Sequence, residues 1–125
     1  MIVIDTSALI DSLAGARRSG PLLYSLVDEG ERILMPALVL YEWLRGPRTP
    51  SEIAIQETQF PSEAAIPFST SDAVLSARLY REVRRPRGRE IDLAIAACAL
   101  NREAQLWTLN PADYRDIPGL KLRTF

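Results

Sequence analysis

Histidine is absent from this sequence of 125 residues, and cysteine occurs once, as Cys98. The first absence excludes an imidazole general base, a Ser-His-Asp triad and a Cys/His zinc site built from this chain alone. The second excludes an intrachain disulfide and fits a reducing compartment. Lysine is nearly missing as well: of 15 basic residues only Lys121 is Lys, and the rest are Arg. The start, Met1-Ile2-Val3-Ile4-Asp5, has no basic segment leading into an apolar run, and no apolar stretch approaches the ~20 residues that span a bilayer. The expectation is a cytoplasmic protein with no membrane segment. Any catalysis must rest on carboxylates, hydroxyls, amines, amides or a bound metal.

What is present is the composition of an ordinary globular domain, 47% apolar and 25% charged. A single domain over residues 1–125 is expected, of a size that buries roughly two thirds of its unfolded surface. No repeat, low-complexity tract or linker interrupts it. The formal net charge of −1 hides an asymmetry, because Arg78, Arg81, Arg84, Arg85, Arg87 and Arg89 fall within one short stretch. The overall balance argues against wholesale coating of nucleic acid but leaves room for a local phosphate-binding patch.

Short apolar runs at Met1–Ile4, Ile33–Met35, Ala65–Phe68 and Leu106–Leu109 read as strands, and Leu120–Thr124 alternates like an edge strand. Helices are expected over Pro21–Asp28, Pro36–Leu44, Ser51–Gln59, Ser71–Arg85 and Glu90–Glu103, with another beginning after Asp5 and a short one at Pro111. In Ser71–Arg85 the apolar stripe reads as Val74, Ala77, Leu79, Tyr80 and Val83. Strands alternating with helices imply an α/β protein, a three-layer α/β/α sandwich around a mostly parallel central sheet. Ligands of such sheets gather at the carboxyl ends of the strands, where Asp5 and Asn110 fall.

Four apolar segments each admit one acid: Asp5 within Met1–Ile10, Glu42 within Ile33–Leu44, Asp92 within Ile91–Leu100 and Asp113 within Ala104–Tyr114. An unpaired buried carboxylate costs several kcal/mol at least, so each needs a compensating partner. Plain alternatives exist for each acid. Asp5 can cap a helix, Asp92 can complement a helix dipole, Asp113 can close a loose capping box around Pro111, and Glu42 can join a surface ion pair. A shared divalent cation is the alternative that answers all four at once. Carboxylates without His or Cys suit hard cations, Mg²⁺ or Mn²⁺. Asp5, Glu42 and Asp92 would supply ligands, Asn110 or Asp113 would complete the pocket, and Thr6 and Thr108 would orient ligands or water. The chemistry this favours is phosphodiester hydrolysis.

The same segments carry a family resemblance. Ile4-Asp5-Thr6-Ser7-Ala8-Leu9-Ile10 resembles the opening motif of PIN-domain proteins, VapC toxins especially. Pro36 to Glu42 is similar to their second motif, Asp92-Leu93-Ala94-Ile95-Ala96-Ala97 to their third, and Thr108-Leu109-Asn110-Pro111-Ala112-Asp113-Tyr114 to their fourth. Asn110 stands where many PIN domains place an acid, and Tyr114 where Phe is common. The resemblance spans nearly the whole chain. It implies a PIN-like sandwich and a Mg²⁺/Mn²⁺-dependent endoribonuclease, the toxin of a type II toxin–antitoxin pair. It further implies a homodimer held in check by a VapB-type antitoxin, with Asp5, Glu42 and Asp92 as the acidic triad and Asp113 as the fourth acid.

On that reading the arginine run would neutralise RNA phosphates beside the acidic pocket; a solvated helix face or a dock for an acidic partner are the other readings. Two rival functions stay open. A Mg²⁺-dependent phosphohydrolase of small molecules can also begin with an Asp after its first strand, although the haloacid-dehalogenase pattern wants a second Asp where Ser7 stands. An acid-clustered domain can also bind RNA or a protein without turnover. Cys98 and Trp107 read as core.

Overall fold

A computed structural model describes residues 1–125. Its strands are β1 (Ile2–Ile4), β2 (Ile33–Leu34), β3 (Gln105–Trp107) and β4 (Leu122–Arg123). Its helices are α1 (Thr6–Leu13), α2 (Gly20–Asp28), α3 (Ala37–Arg45), α4 (Pro50–Gln59), α5 (Thr70–Glu82) and α6 (Glu90–Asn101), with 3₁₀ turns at Ser62–Ala64 and Pro111–Asp113. The strands form one parallel sheet in the order β2-β1-β3-β4. Register pairs Ile2 with Ile33, Ile4 with Trp107 and Leu106 with Leu122.

Ile2, Val3 and Ile4 are all fully buried. Successive strand residues point to opposite faces, so helices must cover both, and the three-layer α/β/α arrangement follows. α6 packs against β1, β3, α3 and α5, while α1 packs against α2, α3 and α4. The chain leaves β1 toward β2 on one side and leaves β3 toward β4 on the other. The carboxyl ends of the adjacent β1 and β3 therefore flank a topological switch point, the crevice where such sheets bind ligands. Asp5 follows β1, and Thr108 and Asn110 follow β3. No helix is long and apolar enough to cross a membrane.

The structure departs from the sequence expectation in three places. Ala65–Phe68 is not a full strand: only one parallel bridge forms, Pro36 to Ile66, made by Ile66 N–H to Met35 O and Ala37 N–H to Ile66 O. Pro36 and Pro67 lack the N–H groups needed to extend that ladder. α5 stops at Glu82, because Val83 is extended (φ −74°, ψ 151°), so Arg85 lies past the helix and does not share a helical face with Arg78 and Arg81. The buried stripe of α5 is also rotated from the expected one. Leu79 and Val83 are buried, but Val74, Ala77 and Tyr80 face outward, and the fully buried residue of the first turn is a charged one, Asp72.

Asp72 occupies the third helical position of α5 in a capping box with Ser69. Its carboxylate also accepts from Asn101 Nδ2 at 2.8 Å and from Arg102 at 3.1 Å, both at the end of α6. Burial raises its pKa, but the bonds from Asn101, the Ser69 N–H, Arg102 and the Ser69 hydroxyl outweigh that and hold it below the usual range. This acid is locked into the scaffold by its own partners.

Candidate active site

Asp5 sits at the N-cap position of α1 with extended backbone, yet its side chain makes no capping hydrogen bond. The simple capping role is therefore not the one it performs. Its Oδ2 accepts from Thr108 Oγ1 at 2.7 Å and from Ser7 Oγ at 3.1 Å, and its Oδ1 accepts from the Tyr114 hydroxyl at 3.0 Å. Those hydroxyls are themselves fixed: Ser7 Oγ accepts from Leu109 N–H and Thr108 Oγ1 from Asn110 N–H, each at 3.0 Å. The segment after β3 is thus stitched to the end of β1 through one 5% exposed carboxylate. Of its four lone-pair sites three are taken, leaving one on Oδ1.

Asp92 lies in the first turn of α6, half-buried, with Oδ1 3.2 Å from the Tyr114 hydroxyl. A phenol has one proton, so Tyr114 cannot satisfy Asp5 and Asp92 fully at once. Burial raises the Asp92 pKa, the Asp5 charge raises it further, the Tyr114 bond opposes this, and the charges of Asp113 and Glu42 add to the rise. All three other candidate acids therefore bear electrostatically on Asp92. Tyr114, buried and facing two carboxylates, is driven strongly toward its neutral, donating form by burial first and then by Asp5 and Asp92.

Glu42, on the half-buried side of α3, accepts from Thr6 Oγ1 at 2.5 Å through one oxygen and from Arg45 at 3.1 Å through the other. The surface ion pair exists, but it engages only half of the carboxylate. Asp113 is exposed on the 3₁₀ turn, and neither it nor Asn110 closes a side-chain cap there. Asn110 touches the network through its backbone N–H.

Arg89, at the N-terminal end of α6, grips Asp116 with both ends of its guanidinium (2.6 and 2.9 Å) and bonds Asp113 O at 2.8 Å. The Asp116 bond is the first cause of a raised Arg89 pKa; burial opposes it, and the charges of Asp116, Asp92 and Asp113 reinforce it. Arg78 lies 3.7 Å from Glu82. Arg81, Arg84, Arg85 and Arg87 are exposed, and none of them forms an ion pair. Trp43, beside Glu42, is fully buried under the Arg48 guanidinium, 4.4 Å from its ring centroid, and so cannot stack a base. Cys98 and Trp107 are core.

Two members of the network were not assigned from the sequence. Ser7 serves Asp5, and its place two residues after that acid, beside Thr6, is the sequence signal for that role. Tyr114 stands where Phe is common, and the hydroxyl that distinguishes it from Phe is what joins the network. A groove lined by Val74, Leu75, Leu79 and Leu100 contains none of the four acids, so chemistry rather than concavity marks the site.

The donor set fits a hard divalent cation in kind: carboxylates of four segments, one shared phenol proton and an Asp92 destabilised by its like-charged neighbours. As the side chains stand, no three acids are gathered closely enough to hold an ion between them. Tyr114 bridges Asp5 and Asp92, and Thr6 and Arg45 hold Glu42, so gathering a third acid beside that pair requires side-chain rotation.

Comparison with known proteins sharpens this picture. The family model described as "PIN domain" matches residues 2–119. The chain belongs to the PIN-domain family. This PIN domain is 34% identical over 123 residues to Ribonuclease VapC19 of Mycobacterium tuberculosis, covering 97% of this chain and 98% of that relative. Its fold resembles VapBC2 from Rickettsia felis bound to a promoter DNA fragment (TM-score 0.78, 21% identity, 100% of this chain and 99% of that one). It also resembles DNA-bound VapBC from Salmonella typhimurium (TM-score 0.76, 18% identity, 98% and 96%). Both confirm the PIN-like α/β fold read from the sequence.

Proposed function

We propose that this protein is an endoribonuclease of the VapC type, the toxin of a VapBC-type pair, and that it hydrolyses RNA phosphodiester bonds with a divalent cation. The observation that carries the reading is the Asp5–Tyr114–Asp92 bridge at the β1/β3 switch point, where the charges of Glu42 and Asp113 also bear on Asp92. The relationship to Ribonuclease VapC19 over nearly the full length supports RNA as the substrate. Residues 1–125 act as one PIN-like domain, a reading supported by one contiguous core cluster of 25 buried residues.

Asp5, Glu42, Asp92 and Asp113 are the acids proposed to hold Mg²⁺ or Mn²⁺. Such a cation would supply Lewis acidity at the phosphodiester and neutralise the pocket. Thr108, Ser7 and Tyr114 orient Asp5, Thr6 orients Glu42, and Asn110 can offer its exposed amide to a ligand or the substrate. The exposed Arg81, Arg84, Arg85 and Arg87, with Arg78 beside them, are the proposed RNA-backbone contacts that offset repulsion between the acids and phosphate; Arg89, which the sequence groups with them, has its guanidinium engaged by Asp116. A VapB-type antitoxin and homodimerisation are proposed from the family, with the cytoplasm as the compartment.

The test is expression of wild type beside Asp5→Ala. Growth arrest with wild type alone, and Mg²⁺- or Mn²⁺-dependent, EDTA-sensitive cleavage of purified RNA, is the expected result. Cleavage that survives loss of Asp5, Glu42 and Asp92 would expose a contaminant. Activity on a nucleoside monophosphate but not on RNA would favour the phosphohydrolase.

A further inference from the structure

We infer that Tyr114 is a positioning residue of the acid pocket, whose buried hydroxyl holds Asp5 and Asp92 together and thereby sets the pair's affinity for a divalent cation. The inference rests on the metal-dependent nuclease reading and assigns a part to a side chain that shape alone would leave as core filler.

Tyr114 belongs to the core cluster and is 1% exposed, so its hydroxyl has little access to solvent. A buried phenol must find a partner, and its only partners are Asp5 Oδ1 and Asp92 Oδ1, at 3.0 and 3.2 Å. These acids come from different elements, the end of β1 and the first turn of α6, and no other side chain bonds both. The ring has little freedom to swing away. Tyr114 N–H bonds Pro111 O at 3.0 Å, Ile117 N–H bonds Tyr114 O at 3.1 Å, and Arg89 ties down the chain before and after it through Asp113 O and the Asp116 carboxylate.

The hydroxyl is a neutral donor. Unlike Lys or Arg it brings no charge that would compete with a cation, and each oxygen it touches keeps a second lone pair. Its contribution is to hold two repelling carboxylates at a fixed separation before a cation arrives. Without it Asp92 loses its one hydrogen bond and is free to turn from Asp5, which Thr108 and Ser7 still hold, and the cation must draw the two together again. Outer partners of metal ligands are commonly worth ten- to a hundredfold in affinity. The bridge shares one proton between two acids, which places its worth near the lower figure.

The experiment is Mn²⁺ titration by calorimetry of the full-length wild type, Tyr114→Phe and Asp72→Ala. The last is a folding control distant from the acids. Tyr114→Phe should bind Mn²⁺ about tenfold more weakly. The Mn²⁺ concentration for half-maximal RNA cleavage should rise by the same factor, with KM for RNA unchanged. Asp72→Ala should lose stability but keep wild-type Mn²⁺ affinity. Mn²⁺ binding by Tyr114→Phe within twofold of wild type, or an equal loss in Asp72→Ala, overturns the inference, as does a wild type that binds no Mn²⁺. Weakened binding in Tyr114→Phe with no RNA cleavage by any variant would support the positioning role and refute the nuclease reading instead.

Discussion

Asp72 and Asp92 are both acids in the first turn of a helix, yet their replacement should move stability in opposite directions. Asp72 is fully buried and bonded to Asn101, Arg102 and the capping box of α5. Asp72→Ala removes one partner of a buried pair, a loss of about 3–5 kcal/mol. Arg102 keeps 24% of its side chain exposed and can rehydrate, which brings the expected loss to about 3 kcal/mol. For a domain of this size that is a fall in Tm of roughly 10 °C. Asp92 forms no ion pair, feels the Arg89 charge without contact, and faces the charge of three other acids. In EDTA, Asp92→Asn should therefore stabilise the fold, by on the order of 1 kcal/mol, as relief of a functional site commonly does.

Acid titration gives a second readout with opposite signs. The Asp72 pKa is lowered by folding, so its stabilisation is present above the unfolded value near ~3.9 and is lost as pH falls through the folded value. The Asp92 pKa is raised, so the folded state holds that proton longer than the unfolded one, and stability falls as pH rises from about 4 through the folded value. Urea unfolding with a common m-value, from acid to neutral pH, measures both. A loss below about 1 kcal/mol in Asp72→Ala would refute the locked-network account. Destabilisation by Asp92→Asn in EDTA would refute the account of an uncompensated acid.

Two further outcomes follow from the arginines. Arg89→Ala should release the 113–116 segment, lowering stability by only about 1 kcal/mol because Asp116 is partly exposed, while reducing RNA cleavage more than stability explains; a double-mutant cycle with Asp116→Ala in both assays checks this, and independent effects would dissolve the clamp. Reversing Arg84 and Arg85 to Glu should weaken RNA binding at every sequence and lower its salt slope by roughly 1.4, the share of two single-strand phosphate contacts; an unchanged slope in filter-binding titrations would remove these residues from the RNA surface.

Much of the site was legible before folding because each acid interrupts an apolar segment. Asp5, Glu42, Asp92 and Asp113 stand out by local contrast, and the short strands between helices announce a parallel sheet with its active edge at the strand ends. Periodicity could not show that Pro36 and Pro67 reduce Ala65–Phe68 to one bridge, nor that the buried stripe of α5 includes a charge. An apolar count passes over Asp72, whose partners Asn101 and Arg102 lie at the far end of another helix.

What the sequence determined by itself is the kind of chemistry: with no histidine and a single cysteine, a site must rest on carboxylates, hydroxyls, amines, amides or a bound metal, and the four isolated acids suit a hard cation. What only the tertiary structure decided is which hydroxyl serves which acid, and which arginine is spoken for. Thr108 and Tyr114 reach Asp5, Thr6 reaches Glu42, and Arg89 closes on Asp116 rather than facing solvent with its neighbours. Those pairings span distant parts of the chain. They depend on where β1, β3 and the start of α6 meet, and directional bonds of about 3 Å form only after packing has brought those ends together.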